Sequence, residues 1–413
     1  MRTSKRNRIL LATAVFAAIN LALGLVLDCP LLSAGGAVGA AYGLLRLAEG
    51  RRPATACGPA ACSTPVAEEP RQSPQVIARR PATPGDPAAL VETMLAQGRY
   101  ALLLRPQIAG SLREHHFRRA LQDLAEATAL VPEGEVLLGQ IDESLNSGDL
   151  DAGEAAASQL RAVRVEPLFL DRYPVTNGQF YEFVAAGGYQ DAALWDASIL
   201  PAVLGFVDQT GQPGPHSWSG GCYDAAKKDH PVVGVSWYEA AAYARWVGKR
   251  LPTDAEWVKA GSWPVSLAVT TRSQRRYPWG DTMDRGRANL WGSGPKGTVP
   301  VTAFAEGVSV GGVYQLIGNV WEWMRGGFPL IDASEGEWIF ETPMKSIRGG
   351  AFDTYFDSQT TCQFQSGEAA IARKHNIGFR CAVGVCDLLL AQSAAECASA
   401  TPVETDLPEE VPA

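Results

Sequence analysis

One carboxylate in the sequence stands between two large aromatic residues. Glu322 lies between Trp321 and Trp323, and a carboxylate buried among such side chains is costly unless a partner faces it. Arg348 and Arg380 are the candidate partners in the sequence, and a bound cation is the alternative. Glu322 is therefore predicted to belong either to a structural salt bridge or to a metal site.

The thiols and imidazoles are the other groups that could do chemistry. Cys57 and Cys62 have no further ligand pattern around them, so we expect a flexible thiol pair or a disulfide. His115 and His116 are adjacent and would point about 100° apart on a helix, so we expect surface residues and not joint ligands of one ion. The other histidines are isolated and are expected to lie at the surface or to form hydrogen bonds: His216, His230 and His375. No nucleophile elbow or Gly-rich phosphate loop occurs.

Short helices with marked starts are expected to position these residues. Ser/Thr-x-x-Glu/Gln capping boxes occur at 176–179, 236–239 and 253–256. The second helix is predicted over 237–247 and should end at Gly248, which tolerates the left-handed conformation. The runs 299–304 and 345–348 predict short strands. After the second run, Gly349 and Gly350 should let the backbone pass close to another chain segment or a ligand. So few helices among so many turns predict an irregular, loop-rich α+β domain and not a layered parallel sheet.

Length and composition place the chain among globular proteins without a nucleic-acid function. Its 413 residues are 46% apolar and 19% charged, enough apolar material for a sizeable core. The formal net charge of -8 and the lack of a Lys/Arg stripe with interleaved aromatics argue against a nucleic-acid partner. After Cys386 the chain carries acidic charges only, so 386–413 is predicted to be a disordered acidic tail.

Residues 1–50 are predicted to be a membrane anchor or signal region. The stretch 9–27 is apolar, follows several basic residues and is about long enough to cross a bilayer as a helix, and a weaker apolar run spans 31–45. A signal-anchor would place the rest of the chain outside the cytoplasm, a two-helix hairpin would keep both positive flanks inside, and a cleaved signal peptide is the third possibility. We favour the anchor, which predicts a membrane-anchored protein with an extracytoplasmic domain. At least one disulfide is then expected among the domain cysteines Cys222, Cys362, Cys381 and Cys386.

A linker and a helical segment are predicted before the main domain. Residues 51–87 are rich in Pro, Ala, Ser and Thr without an apolar period, which predicts a semi-extended linker. Residues 88–129 carry apolar residues at helical spacing. Pro106 should divide this segment into two helices, because proline interrupts a helix interior.

Several motifs in the rest of the chain resemble one known family. They read LVPEGEVLLG at 130–139, FLDRYPVTNGQFYEFV at 169–184, HPVVGVSWYEAAAYARWVGKRLPTDAEW at 230–257, YPWGD at 277–281, ANLW at 288–291, GVYQLIGNVWEW at 312–323, IRGGAF at 347–352 and NIGFRCAV at 376–383. In order, spacing and content they are similar to the formylglycine-generating enzyme and sulfatase-modifying-factor family. The resemblance covers about 130–385 and implies a compact, loop-rich fold related to C-type lectins.

The resemblance implies a calcium site around the carboxylate of Glu322. The family's ligands correspond to Gln315, Gly318, Val320 and Glu322. The middle pair would supply backbone carbonyls, and hard oxygen donors of this kind suit Ca²⁺. Gln315 replaces the usual Asn and keeps an amide oxygen. A second, weaker site would begin at Asn289 and Leu290, but the acidic part of its loop is missing and Lys296 stands where an acid is expected.

The resemblance also implies a copper oxidase, although this chain lacks its two active-site cysteines. Family oxidases convert a sulfatase cysteine to formylglycine with molecular oxygen and with copper held by two thiolates, which suit Cu(I). Counting from Gly350, the cysteines correspond to Thr354 and Gln359, and the Ser of the motif corresponds to Ala351. Cys362 is the one nearby thiol and is off register by three residues. Copper binding is therefore not expected.

Two functions follow as hypotheses. The first is a non-catalytic binding or scaffolding module that recognises a protein or peptide at the membrane, since loops on a rigid scaffold readily carry recognition. The alternative is a divergent oxidase that uses Cys362 as a displaced ligand. The iron chemistry of a sister branch is not supported, because its His-x3-His-x-Glu triad has no counterpart in 88–129. A subunit that supports another membrane enzyme is a third possibility.

Overall fold

The computed structural model describes residues 86–139, 161–262, 274–328, 331–332, 336–337 and 343–390. The predicted anchor or signal region 1–50, the linker up to residue 85 with Cys57 and Cys62, and the tail beyond residue 390 lie outside these residues. Within the described ranges, no helix combines the length and the apolar character needed to cross a membrane.

The described chain is a mixture of short helices and short strands. The α-helices are α1 (Pro87–Ala96), α2 (Tyr100–Leu103), α3 (Pro106–Ala109), α4 (Glu114–Ala127), α5 (Asn177–Ala185), α6 (Leu200–Val203), α7 (Trp237–Trp246) and α8 (Asp254–Ser262). The strands are β1 (Thr128–Val131), β2 (Gly134–Leu138), β3 (Arg161–Val165), β4 (Leu168–Asp171), β5 (Trp321–Gly327), β6 (Ile331–Asp332), β7 (Gly336–Glu337), β8 (Met344–Arg348), β9 (Ser366–Ala369), β10 (Ile377–Gly378) and β11 (Ala382–Gly384). This mixed content confirms the α+β prediction.

Two small sheets organise the domain. In the first, β4 lies between β1 and β11 and is antiparallel to both, so that Leu170 faces Ala129 on one side and Ala382 on the other. In the second, the order is β10-β5-β8-β9, with β5 antiparallel to β8 and parallel to β10. Glu322 and Arg348 are cross-strand neighbours there. The aromatic-flanked carboxylate thus lies on an inner strand of this sheet.

The predicted capping boxes are present and explain where three of the helices begin. Thr176 and Ser236, at the starts of α5 and α7, each accept a backbone N–H three residues on, and the Gln or Glu at that position reaches back. At the start of α8, the Thr253 N–H donates to Glu256 Oε2 over 2.7 Å. The helix α7 ends as predicted before Gly248, whose φ is 78°.

One of the two predicted strands forms. The run 345–348 lies in β8, whereas 299–304 is irregular, so the second prediction is wrong. The Val299 N–H donates to Asn319 Oδ1 over 3.0 Å, and the Val299 carbonyl accepts from Asn319 Nδ2 over 3.1 Å. Pro300 has no N–H to donate. Because one side chain occupies both backbone groups of Val299, this run cannot pair with a strand there.

Aromatic side chains fill the core between α5, α7 and the second sheet. Phe180 is fully buried and stacks on Tyr243 at 5.5 Å, and Phe379 meets both rings edge-on. A neighbouring core contains Trp257 and Met324, both fully buried. Aromatic residues of this size each remove about 150–250 Å² from water. The loops that carry the candidate site therefore stand on a densely packed frame.

The segment predicted as two helices packs on this frame as four. The helix α3 begins at Pro106, and α4 ends at Ala127 because residues 128–131 join the first sheet as β1. Lys249 Nζ donates to Tyr100 OH over 2.6 Å and to Asp171 Oδ1 over 2.5 Å. This buried contact ties α2 to the main domain.

The start of the predicted acidic tail also packs on the helical segment. Leu388 is buried in the same cluster as Leu103 and Phe117. The Leu389 N–H donates to the Leu104 carbonyl over 2.8 Å. The prediction that a disordered tail begins at residue 386 is therefore wrong by several residues. Leu388 and Leu389 pack on the helical segment, so the ordered chain continues past residue 386.

Candidate functional site

The loop after β8 carries the positions at which the resemblance implies copper ligands. Gly349 and Gly350 begin it with φ of 98° and 76°. A Cβ on Gly349 would lie 2.5 Å from the Leu316 carbonyl oxygen, so the predicted close approach of two backbone segments is confirmed. The Ala351 N–H donates to Thr354 Oγ1 over 2.8 Å, and Thr354 is buried. The Thr354 hydroxyl thus closes a turn of the loop.

The donor chemistry of the two positions does not fit copper. Thr354 offers a hydroxyl that is already bonded, and Gln359 offers a half-buried amide in the short 3-10 helix Asp357–Thr360. Neither group is the soft thiolate that Cu(I) prefers. The loop keeps the backbone path that the motif implies, but not its ligands.

The nearby thiol, Cys362, lies in the core. It is fully buried, and a Cβ added to Gly261 of α8 would lie 2.9 Å from its Sγ. Burial raises the pKa of the Cys362 thiol, so it is protonated at neutral pH and is a poor metal ligand and nucleophile. Burial also raises the pKa of Cys381, whose backbone N–H donates to Asp171. The described cysteines are free thiols, so the expected disulfide does not form among them: Cys222, Cys362, Cys381 and Cys386.

Three exposed aromatic residues lie on this loop or beside it. Trp291, Tyr355 and Phe356 are 41%, 62% and 61% exposed, and we call them the aromatic face. The backbone N–H of Trp291 donates to the Thr354 carbonyl over 3.3 Å, which places Trp291 beside the loop that carries Tyr355 and Phe356. Tyr355 and Phe356 meet edge to face at 5.2 Å, and Lys296 Nζ lies 5.1 Å above the Trp291 ring. Exposed apolar surface gathered in one place is typical of interaction sites.

An open cleft of about 720 Å³ borders the same loop. It is lined by residues 279–285, by Arg287 and by Asp357 of the 3-10 helix. Trp279 forms part of the lining and stacks on Tyr277 with ring centroids 5.3 Å apart. Because Asp357 lies between positions 354 and 359, the cleft reaches the segment at which the resemblance implies copper ligands.

Arg285 joins the cleft to the aromatic face. Its guanidinium donates to the Trp291 carbonyl over 2.7 Å, to the Tyr355 carbonyl over 3.2 Å and to the Asp357 carboxylate. One side chain thus holds the backbone of both loops that present aromatic residues. Sequence reasoning missed this site. The adjacent pair Tyr355-Phe356, at the position of the missing cysteines, was the available signal.

Glu322 is held in a buried ion pair with Arg380. Arg380 Nε donates to Glu322 Oε2 over 2.7 Å and Nη2 donates to Oε1 over 2.6 Å, with both side chains fully buried. Trp257 Nε1 also donates to Oε2, over 2.9 Å. The other candidate partner, Arg348, pairs with Asp254 instead. Of the predicted alternatives, the structural salt bridge is present.

Two of the remaining donors of the implied calcium site are also engaged. Gln315 Oε1 accepts from Asn319 Nδ2 over 2.6 Å, and the Gly318 carbonyl accepts from the Val320 N–H over 2.9 Å. A cation at Glu322 would stand beside the guanidinium of Arg380. As placed, these residues do not fit Ca²⁺. Calcium binding there stays a prediction, and it requires Glu322 to leave its ion pair.

The weaker calcium position contains one unpaired oxygen. Asn289 is buried, and its Nδ2 donates to Asn319 Oδ1 over 3.1 Å, while its own Oδ1 has no hydrogen-bond partner. A Cβ on Gly294 would lie 2.0 Å from that oxygen, so the backbone of Gly294 covers it. Leu290 is buried in the adjacent core. An ion at this position likewise stays a prediction.

The adjacent histidines at the start of α4 do not both point to solvent. His116 is buried and His115 is exposed, yet their ring centroids are only 4.0 Å apart. One ligand atom of each ring and a carboxylate oxygen of Glu92 all lie within 4.8 Å of one another. The surface prediction is therefore right for His115 and wrong for His116, and the expectation that the two rings point apart is wrong.

The fold and the loop after β8 define a class of protein: a loop-rich α+β domain of the sulfatase-modifying type whose copper positions carry no thiols. Residues 114–385 match the profile of the sulfatase-modifying factor enzyme 1-like domain. Because this match covers more than half of the chain, the chain belongs to the FGE-sulfatase family. The match begins in α4, earlier than the start near residue 130 predicted from the motifs.

Relatives within the family carry different names. The formylglycine-generating enzyme of Thermomonospora curvata is 32% identical over 317 residues, covering 64% of this chain and 96% of that protein. The inactive C-alpha-formylglycine-generating enzyme 2 of Bos taurus is 31% identical over 278 residues, covering 57% of this chain and 83% of that protein. The hercynine oxygenase of Mycolicibacterium smegmatis is 33% identical over 208 residues, but the chain spans only 45% of its length.

Proposed function

We propose that this protein is a membrane-associated, non-catalytic binding or scaffolding module that recognises a protein or peptide segment through its aromatic face and the adjoining cleft. The observation that carries the proposal is the exchange at the loop after β8. Thr354 and Gln359 replace the family's two metal-binding cysteines, and Tyr355 and Phe356 stand exposed between them.

The aromatic face has the properties of a recognition surface. Aromatic residues supply large contact area at low entropic cost and are enriched at the centres of interfaces. Here Arg285 donates to the backbone carbonyls of Trp291 and Tyr355, which reduces the ordering cost of binding. The charges lining the cleft are largely paired within it, Arg287 with Asp284 and Arg285 with Asp357. This balance favours a partner segment that inserts apolar or aromatic side chains over a highly charged one.

The alternative, a divergent oxidase, depends on Cys362. A fully buried thiol with a raised pKa neither reaches a substrate nor binds Cu(I) without rearrangement of the core. A relative that carries the word inactive in its name also supports a non-catalytic role within this family. Resemblance to an active oxidase indicates that the chain shares the fold of that enzyme. A shared fold without the metal ligands is not evidence for the same reaction.

In this proposal residues 9–27 hold the module at a membrane, with the domain outside the cytoplasm. The support is the uncharged apolar stretch and its basic N-terminal flank. Alkaline extraction of membranes from expressing cells tests it. The full chain should stay in the pellet, and the chain without residues 1–50 should move to the supernatant. Release of both would contradict the anchor.

The catalytic alternative has a direct assay. The full chain is incubated with Cu(I), oxygen and a Cys-x-Pro-x-Arg peptide, and mass spectrometry follows the peptide while metal analysis follows the protein. We expect no aldehyde, and we expect any copper held elsewhere on the chain to be unaffected by Cys362→Ala. Aldehyde formation that Cys362→Ala abolishes would overturn the non-catalytic assignment.

The recognition surface is tested by selecting a phage-displayed random peptide library on the wild-type chain. Enriched peptides should bind the Tyr355→Ser/Phe356→Ser double variant at least about tenfold more weakly, since truncated interface aromatics commonly cost more than 1 kcal/mol. Leu204→Ser is the matched control, because Leu204 is an exposed apolar residue on a different loop, 87% accessible. Equal binding to wild type and the double variant, or no enrichment, would refute the assignment of the surface.

A further inference from the structure

Three potential metal ligands meet where the first and fourth helices pack. Glu92 comes from α1, and His115 and His116 come from the first turn of α4. One ligand atom from each lies within 4.8 Å of the others. His116 Nε2 is already 2.9 Å from Glu92 Oε1, and the two imidazole centroids are 4.0 Å apart with planes tilted by 47°. One nitrogen of each ring therefore lies near the same carboxylate, although the two histidines are neighbours on a helix.

We propose that Glu92, His115 and His116 form a binding site for one divalent transition-metal ion of borderline softness, such as Zn²⁺. Two imidazole nitrogens and one carboxylate oxygen are the donor types that such ions accept. Ca²⁺ and Mg²⁺ prefer oxygen donors throughout, and Cu(I) prefers thiolates. Three protein ligands leave at least one coordination position for water.

The exposure of the three side chains is graded in a way that suits ion entry. His116 is held inside, with 5% of its side chain exposed, whereas 62% of the Glu92 side chain is exposed. His115 is also exposed. An ion can thus arrive from solvent and meet a ligand whose position is fixed by packing. Such a fixed ligand lowers the entropy that the site loses on binding.

The charges around the site permit a cation. Arg119, whose charge interacts with Glu92, is held by Asp123 over 2.9 Å, and that ion pair offsets its repulsion of an incoming ion. Glu92 itself provides a carboxylate facing the two imidazole rings. A bound ion would replace the single His116–Glu92 hydrogen bond by three bonds and would clamp α1 to α4.

Substitutions at two exposed residues distinguish a metal site from a hydrogen bond between His116 and Glu92 alone. His115→Ala removes one of the three proposed ligands and leaves the hydrogen bond between His116 and Glu92 in place. Glu92→Gln keeps an oxygen acceptor for His116 but removes the carboxylate charge. Both side chains are exposed, so both variants should fold. His216→Ala is the matched control, because His216 is isolated from other metal-ligating side chains in the sequence and is also exposed.

The experiment titrates the full chain, freed of metal with EDTA, with Co²⁺ and then with Zn²⁺. We expect one equivalent of Co²⁺ to produce visible d–d bands without the near-ultraviolet charge-transfer band of a thiolate, which separates this site from Cys57 and Cys62. Zn²⁺ should displace Co²⁺ and raise the melting temperature. His115→Ala and Glu92→Gln should each weaken binding by at least about tenfold, the scale on which even outer-shell changes act, and His216→Ala should not.

Three results would overturn the proposal. They are the absence of a stoichiometric d–d spectrum, a spectrum carrying the thiolate band alone, and unchanged affinity in both His115→Ala and Glu92→Gln.

Discussion

The buried ion pair of Glu322 and Arg380 allows a sharp test of what the aromatic-flanked carboxylate does. The perturbations are Glu322→Gln, which preserves shape and removes the negative charge, and Arg380→Met, which removes the positive one. Each leaves its partner charged and buried in the interior. We expect both variants to be strongly destabilised, because a desolvated charge without a counter-charge is among the costliest defects of a folded protein.

The magnitude follows from the contacts of the pair. Besides its two bonds to Glu322, the Arg380 guanidinium donates to the carbonyls of Asp171, Arg172 and Tyr314. Breaking a buried pair by removing one partner costs about 3–5 kcal/mol. That is a large share of the roughly 5–15 kcal/mol by which domains are stable. The double variant Glu322→Leu/Arg380→Met should lose less than the sum of the single variants, since neither charge remains alone.

The assay is denaturant unfolding of the full chain, with and without EDTA. Glu114→Gln is the control, because the Glu114–Arg118 pair is exposed and should contribute no more than about 1 kcal/mol. Any loss of stability that EDTA causes through the helical site proposed above should be the same in the wild type and in Glu322→Gln, because Glu322 takes no part in that site. A midpoint that EDTA lowers in the wild type but not in Glu322→Gln would make Glu322 a calcium ligand and refute the salt-bridge reasoning. So would a cost below about 1 kcal/mol for Glu322→Gln.

Three further predictions concern the buried thiols and the anchoring of the helical segment. At neutral pH iodoacetamide should modify the exposed Cys386 and spare Cys362 and Cys381, as read by peptide mass mapping; equal labelling in the native state would contradict their burial. Burial raises the pKa of both protected thiols above the unfolded value of about 8.5. The free energy of unfolding should therefore be constant with respect to these thiols below that pH, and should fall above it by about 1.4 kcal/mol per pH unit for each thiol. A midpoint of unfolding that stays flat above that pH would disprove this. Gly248→Ala should cost about 1–3 kcal/mol, since φ is 78° and the new Cβ would lie 2.6 Å from Leu102 Cα; unchanged proteolysis of residues 87–127 would contradict the expected loosening.

Features that depend on neighbouring residues were predictable from the sequence. The capping boxes placed the starts of α5, α7 and α8, because a cap and its partner are three residues apart and need nothing distant. Gly349 and Gly350 announced a close backbone approach, since few other residues accept their φ values. The motifs also indicated the family, and the absence of two thiols at 354 and 359 could be read directly.

Features that depend on distant residues could not be predicted in the same way. Glu322 had two candidate arginines. It pairs with Arg380, 58 residues away, because β10 lies beside β5 and Arg380 follows β10 in the chain. The run 299–304 had the composition of a strand, but Asn319 occupies the backbone of Val299. In both cases a side chain from elsewhere decided the outcome.

By itself, the amino-acid sequence determined the helix starts, the glycine turns, the family and the loss of the copper thiols, because each is written in residues close together along the chain. Only the tertiary structure decided that Cys362 is buried and that Glu92 meets His115 and His116. It also decided that Arg285 joins the aromatic face to a cleft. The physical reason is that burial, pKa and ligand geometry arise from the packing of segments distant in sequence, and no local pattern encodes which segments will meet.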